Sequence, residues 1–273
     1  MPALRLEDDV LIYEPTQKGN PHRLAVKQHT FPKTSIARFV GQKGNVELFL
    51  KSRDKVIQAK PSNEIFCAER AWDQQAESGF MKNVEDDFQD IDGRILDDDL
   101  ESFKKADLTV INEFYCLWNL RAIHKQNRVN DQSIYVENLL GLSSVYTKDE
   151  QEQLEKEGIS TIRGDFKIAG RFLASPSIRL QVTQAAKAMG DSNWNILRAV
   201  EGEFIVPDNA KRMSMLPLSP SACLWYGPTK PVAAVEQLSV GEVAWINEAA
   251  IEASTDYFFA RDLSRCPVGA ALG

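Results

Sequence analysis

Histidine is scarce in this chain, cysteine is scattered and long apolar runs are missing, and each shortage removes a class of function. With only His22, His29 and His124 present, an imidazole general base or a histidine-rich metal site has few candidates. Cys67, Cys116, Cys223 and Cys266 lie far apart, without a C-x-x-C pair or a histidine at ligand spacing, so nothing supports a zinc centre. They read as reduced, mostly buried thiols of a cytoplasmic protein. No stretch approaches the roughly 20 apolar residues that cross a bilayer. The opening Met-Pro-Ala-Leu-Arg-Leu-Glu-Asp-Asp puts acids where a signal peptide needs apolar residues, so no export is expected. The phosphate-binding G-x-x-x-x-G-K-[ST] loop, the G-x-G-x-x-G fingerprint, H-E-x-x-H and G-x-S-x-G are all absent.

What is present is an ordinary globular composition. At 273 residues, 43% hydrophobic and 26% charged, the chain can bury a sizeable core, and one principal domain over 1–273 is expected, with an irregular insertion at 128–175. A net charge of -7 opposes a broad phosphate-binding surface and leaves nucleic acid only a local basic groove.

Hydrophobic periodicity predicts an α+β fold, with small, mostly antiparallel sheet elements packed with a central helical layer. Short runs at Leu24, Val46 and Lys55 predict strands, with Gly41-Gln-Lys-Gly44 as a hairpin and a short helix over Pro32–Val40. From Gln75 to Leu96, Phe80, Val84, Phe88, Ile91 and Ile95 form one stripe of a helix, with the acids on its outer face. Ala106–Gln126 is apolar on most sides and predicts the central core helix. Thr147-Lys-Asp-Glu150 has the form of a capping box opening an exposed helix that runs through Lys156. A further helix is expected over Ile178–Met189, and Glu201-Gly202 reads as a hairpin turn between two strands. Ser239-Val-Gly-Glu242 is a second capping box, opening the last helix.

Few residues stand out as chemistry. Pro207-Asp208-Asn209-Ala210-Lys211 loosely resembles the start of a restriction-type nuclease motif, but the following acidic-x-Lys strand is missing and an Asx turn accounts for it better. His124 reads as a charge complement at a helix C-terminus and His22 as a solvent-facing loop residue. His29 lies between a strand and a helix, where a hydrogen-bonded structural role competes with catalysis. The runs Glu85-Asp86-Asp87 and Asp97-Asp98-Asp99 read as a solvated face and its following loop.

Across much of the chain, in order, His29-Thr-Phe-Pro32 with Ile36 and Arg38-Phe39, Val84-Glu85, Phe204-Ile-Val-Pro-Asp208-Asn209, Pro217-Leu-Ser-Pro220 and a C-terminal helix with Asn247 form a set. This set resembles a bacterial family catalogued as domain of unknown function 4238. Pro207 and Ala210 depart from it, standing where the family usually has Ser and Pro. The family brings no settled activity. The resemblance implies that His29, Arg38, Glu85, Asp208 and Asn209 converge.

Two functions are then expected in competition. One is a hydrolase, a metal-dependent nuclease with an accessory or phage-defence role. There His29 is general base or ligand, Asp208 and Glu85 hold a divalent cation, and Arg38 meets developing negative charge. The alternative is a non-catalytic binding or regulatory protein whose acidic surface engages a basic protein partner.

Overall fold

The computed structural model describes residues 14–134, 146–190, 194–209, 214–227 and 234–269. These begin with β1 (Lys27–His29), α1 (Lys33–Ala37), β2 (Val46–Leu50), β3 (Lys55–Ala59) and β4 (Cys67–Glu69). Helices then dominate: α2 (Gln74–Ser78), α3 (Phe80–Leu96) and α4 (Lys105–Gln126). After them come β5 (Gln132–Ser133), α5 (Lys148–Lys156), β6 (Lys167–Ile168) and α6 (Gly170–Met189). The last part is β7 (Trp194–Ala199), β8 (Val206–Pro207), β9 (Met215–Ser219), β10 (Ala222–Tyr226), β11 (Val235–Leu238), α7 (Val240–Ala253) and β12 (Tyr257–Ala260). The fold class is α+β, with sheets that are mostly antiparallel. Met1–Asp9 and, from the nuclease-like segment, Ala210 and Lys211 lie outside the described residues.

α4 is the central helix because its sequence leaves it no dry exposed face. Leu108, Ile111, Phe114, Leu117 and Trp118 are all buried, and α3 and α6 both pack on it. Phe88 of α3 stacks on Phe114 with ring centroids 3.7 Å apart, and Phe31 meets Trp118 at 4.9 Å. The helix expected from Gln75 to Leu96 is interrupted at Gly79. With φ -110° and ψ -104°, Gly79 holds a conformation in which a Cβ would sit 2.7 Å from the Gln75 carbonyl oxygen, so only glycine makes this break. Both capping boxes form, Thr147 with Glu150 and Ser239 with Glu242. α5 is less exposed than its composition suggests, because Glu152 and Glu155 point inward. α6 begins at Gly170, well before the expected Ile178, and a Cβ at Gly170 would overlap the carbonyl oxygen of Val129. Gly170→Ala is therefore expected to lower stability by about 2–3 kcal/mol, read as a fall in the urea midpoint, because backbone rather than a flexible side chain blocks the methyl.

One sheet has the order β3-β2-β12-β8 and is antiparallel throughout; the other, β11-β7-β10-β9, has one parallel pair, β11 with β7. Pro207 and Pro217 both fall on edge strands, where a missing N–H is tolerated. Two local expectations fail. Glu201-Gly202 makes no hairpin, since β7 pairs with β10 and β11 while β8 joins β12 in the other sheet. Gly41–Gly44 is a turn between α1 and β2 rather than a hairpin, because β1 pairs with β4. The larger cluster of buried apolar side chains runs from Phe31 to Phe259, and a second one lies between α7 and the β7–β10–β11 sheet. No helix among the described residues is long and apolar enough to cross a membrane.

Candidate functional site

Beside the apolar stripe of α3 runs a polar one. Glu85, Gln89 and Asp92 follow at steps of four and three, which puts them on one helix face, with Glu85 and Asp92 about 10 Å apart along the axis. The Asp86, Asp87 and Asp90 side of the helix is solvated, as expected, but Glu85 is half-buried and Asp92 fully buried. Opposite Glu85, the Arg121 guanidinium of α4 forms an ion pair with it and lies 3.8 Å from Glu77. Trp72 braces this group: its indole N–H donates to Glu77 and Arg121 lies 5.4 Å from its ring centroid. Asp73 fixes the approach of the chain by capping α2, its carboxylate accepting the Ala76 N–H at 2.8 Å. The guanidinium is sealed, at 2% exposure, whereas Glu77 and Glu85 each keep 24% of their side chains in solvent. Arg121 thus holds two carboxylates from behind.

At the other end of the stripe, Arg38 at the end of α1 forms an ion pair with Asp92, and Gln89 donates to Ser35 Oγ at 2.9 Å. Burial pushes the Asp92 carboxyl up to about 7 against the opposing pull of Arg38. Desolvation is the largest cause and outweighs both the charge and the side-chain contact of Arg38, and neither carboxylate oxygen has a well-formed hydrogen bond. Arg38 Nη1, Gln89 Oε1, Trp118 Nε1 and Arg121 Nε are likewise buried without hydrogen-bond partners. Unsatisfied polar atoms are uncommon in protein interiors, and apart from Asn195 Oδ1 on β7 those found among the described residues belong to α3, α4 and the end of α1.

One turn beyond Arg121, Lys125 points to the Ile65 carbonyl and lies 5.1 Å from the Tyr257 ring centroid. Burial lowers its pKa, opposed by Asp256 and Asp208. Asp208 itself is a structural latch. Its carboxylate accepts N–H groups from Thr255 at 2.9 Å, Asp256 at 2.6 Å and Tyr257 at 3.3 Å, and the Asn209 amide at 2.8 Å. Burial raises its pKa despite these bonds. Asn209 also donates to Thr255 Oγ1 at 3.1 Å, so both residues secure the start of β12.

The five residues expected to converge therefore divide. Arg38 and Glu85 belong to the α3 stripe through Asp92 and Arg121, while Asp208 and Asn209 serve the β8–β12 junction. His29 bonds to the Pro61 carbonyl at 2.9 Å, a structural contact. Asp208 and Glu85 do not fit as holders of a divalent cation: the oxygens of the first are taken by N–H donors and the second is held by Arg121. Among the described residues no group of three or more His, Cys, Asp or Glu side chains is placed to hold a metal ion. His124 is not a charged helix cap, since it is buried and burial lowers its pKa; His22 is partly covered and bonds to Asp149 at 2.7 Å.

A basic cavity does exist. Arg70, Arg128, Arg163 and Arg171 line a space of about 360 Å³ at the start of α6 together with Glu14 and Asp131, which pair with Arg171 at 2.8 Å and with Arg163 at 2.7 Å. Arg70 and Arg171 converge on the buried Glu155 of α5, at 2.6 and 2.9 Å. Arg70 has φ +43°, an uncommon backbone state for a side-chain-bearing residue. Compared with models of known families, with curated proteins and with solved structures, the chain matches none. The resemblance carried by His29–Pro32 and Pro217–Pro220 stands on those motifs alone.

Proposed function

We propose that this chain is a hydrolase of phosphate esters, with nucleic acid as the substrate class, whose acid–base pair is Asp92 and Glu85. The observation that carries this is a pair of carboxyl groups on one face of α3 in contrasting settings. Asp92 is buried and holds a proton near neutral pH, while Glu85 is half-open and fixed by Arg121. Carboxyl groups placed in contrasting environments are a recurrent way of dividing acid and base roles. In the step proposed, Glu85 takes a proton from the attacking water as its oxygen bonds to phosphorus. Asp92, whose side chain is sealed from solvent, gives its proton to the departing oxygen through an intervening water as the old ester bond breaks. Arg38 faces the charge that develops, and Arg121 positions Glu85 without touching substrate.

The test is hydrolysis of bis(p-nitrophenyl) phosphate and of labelled single-stranded DNA and RNA by the purified protein, Glu85→Gln and Asp92→Asn. Both variants are expected to lose roughly 100-fold or more in kcat while keeping the wild-type circular dichroism spectrum. No cleavage by the wild type, or equal cleavage by all three proteins, sinks the proposal.

A further inference from the structure

Away from the α3 stripe, the β7–β10–β11 sheet and the N-terminal half of α7 enclose a groove of about 650 Å³. Its walls are mainly apolar, with Leu197, Trp225, Leu238, Trp245 and Ile246 among the lining side chains. Trp225 and Trp245 hold one another with ring centroids 5.5 Å apart, yet Trp245 is 58% exposed. Val235 and Val240 nearby are exposed as well. A surface that leaves a tryptophan and two valines in water beside an open groove has the character of an interaction site. The polar groups that line it are selective. Glu242 supplies negative charge, no lysine or arginine is among the described lining residues, and the side-chain oxygen of Asn195, a residue only 4% exposed, has no hydrogen-bond donor.

We infer that this groove binds an arginine side chain presented by an extended, basic segment of a partner protein. A guanidinium answers all three features. Its planar cation lies against the open face of Trp245, its N–H groups can reach an amide oxygen such as that of Asn195, and its charge complements Glu242. An ammonium has no flat face to lay on the indole and is more strongly hydrated, which ranks lysine below arginine. The backbone of such a segment has a place too. β11 is the edge strand of its sheet among the described residues, and an extended chain can add to that edge while its side chain enters the groove. This site is independent of the acid–base pair on α3.

The experiment is calorimetric titration of the full chain with an acetylated, amidated hexapeptide of glycine and valine carrying one arginine. The same peptides with citrulline and with lysine are titrated in parallel. Citrulline keeps the shape and removes the charge. Saturable binding of the arginine peptide is expected, roughly tenfold or more weaker with citrulline and weaker with lysine. Trp245→Ala is expected to lose binding by a similar factor and Trp245→Phe to recover part of it. Trp245 is a surface residue, and should its replacement disturb the fold, the citrulline comparison on the wild type decides. Absence of binding at millimolar arginine peptide, equal binding of citrulline, or unchanged binding by a folded Trp245→Ala protein each overturns the inference. None of these outcomes bears on phosphate ester hydrolysis, so the two proposals fail separately.

Discussion

Asp208→Ala is expected to destabilise the protein by about 3–5 kcal/mol, an effect large enough to leave a substantial unfolded fraction in a marginal fold. The carboxylate accepts three successive backbone N–H groups, those of Thr255, Asp256 and Tyr257, together with the Asn209 side chain. Removing it leaves the buried Tyr257 N–H and the Asn209 amide without this acceptor and frees the turn at the exposed Thr255 and Asp256, at a place where Asp208 itself is only 7% exposed. Asp208→Asn keeps the shape but turns one acceptor into a donor, so an intermediate loss is expected. Urea denaturation of the three proteins measures the series. Wild-type stability in Asp208→Ala, accompanied by lost activity, would instead return Asp208 to the catalytic group.

The second large effect is one of pH. Asp92 has a folded pKa raised to about 7, above the ordinary carboxyl value of 3.8. Between those limits the native protein keeps a proton that the unfolded chain has released, so the native state binds more protons and stability falls as pH rises. The loss begins near pH 4, is complete somewhat above pH 7, and amounts to roughly 4 kcal/mol. Asp92→Asn removes the titration. Its stability is expected to match the wild type near pH 4 and to exceed it by a growing margin up to pH 8, and Arg38, one-fifth exposed, can still find water. Urea midpoints at pH 5 and pH 8 provide the check; parallel pH slopes in the two proteins would remove Asp92 as the cause. The same substitution is expected to lower hydrolysis, so stability and activity should move in opposite directions, as they do where a strained group is kept for chemistry.

Much of the helical architecture was legible because its causes are local. The stripe from Val84 to Ile95 and the all-round apolar character of α4 follow from periodicity, and the caps at Thr147 and Ser239 from a hydroxyl and a glutamate three residues apart. Strand partners were not legible. Glu201-Gly202 has sound turn chemistry, but β7 gains more by pairing on both sides with β10 and β11, a choice made by distant residues. Within the site, Glu85 and Arg38 stood out in sequence, whereas Asp92 was one acid among many on an acidic helix. Only the buried approach of Arg38 separates it from the solvated Asp86, Asp87 and Asp90. Its spacing from Glu85 and Gln89 was a signal, but one that many exposed helices share.

β12 lies beside β2, with Tyr257 opposite Leu50 and Ala260 opposite Glu47. A ribosome making this protein must therefore deliver the chain through β12 before Phe39 and Phe66 can meet Phe259. Until then the β2–β3 hairpin waits with one bare edge and its aromatic neighbours uncovered, a state that invites pairing with other nascent chains. Completion of the fold waits on β12, and a chain ending short of Tyr257 would emerge as a substrate for chaperones rather than as a smaller version of the same protein.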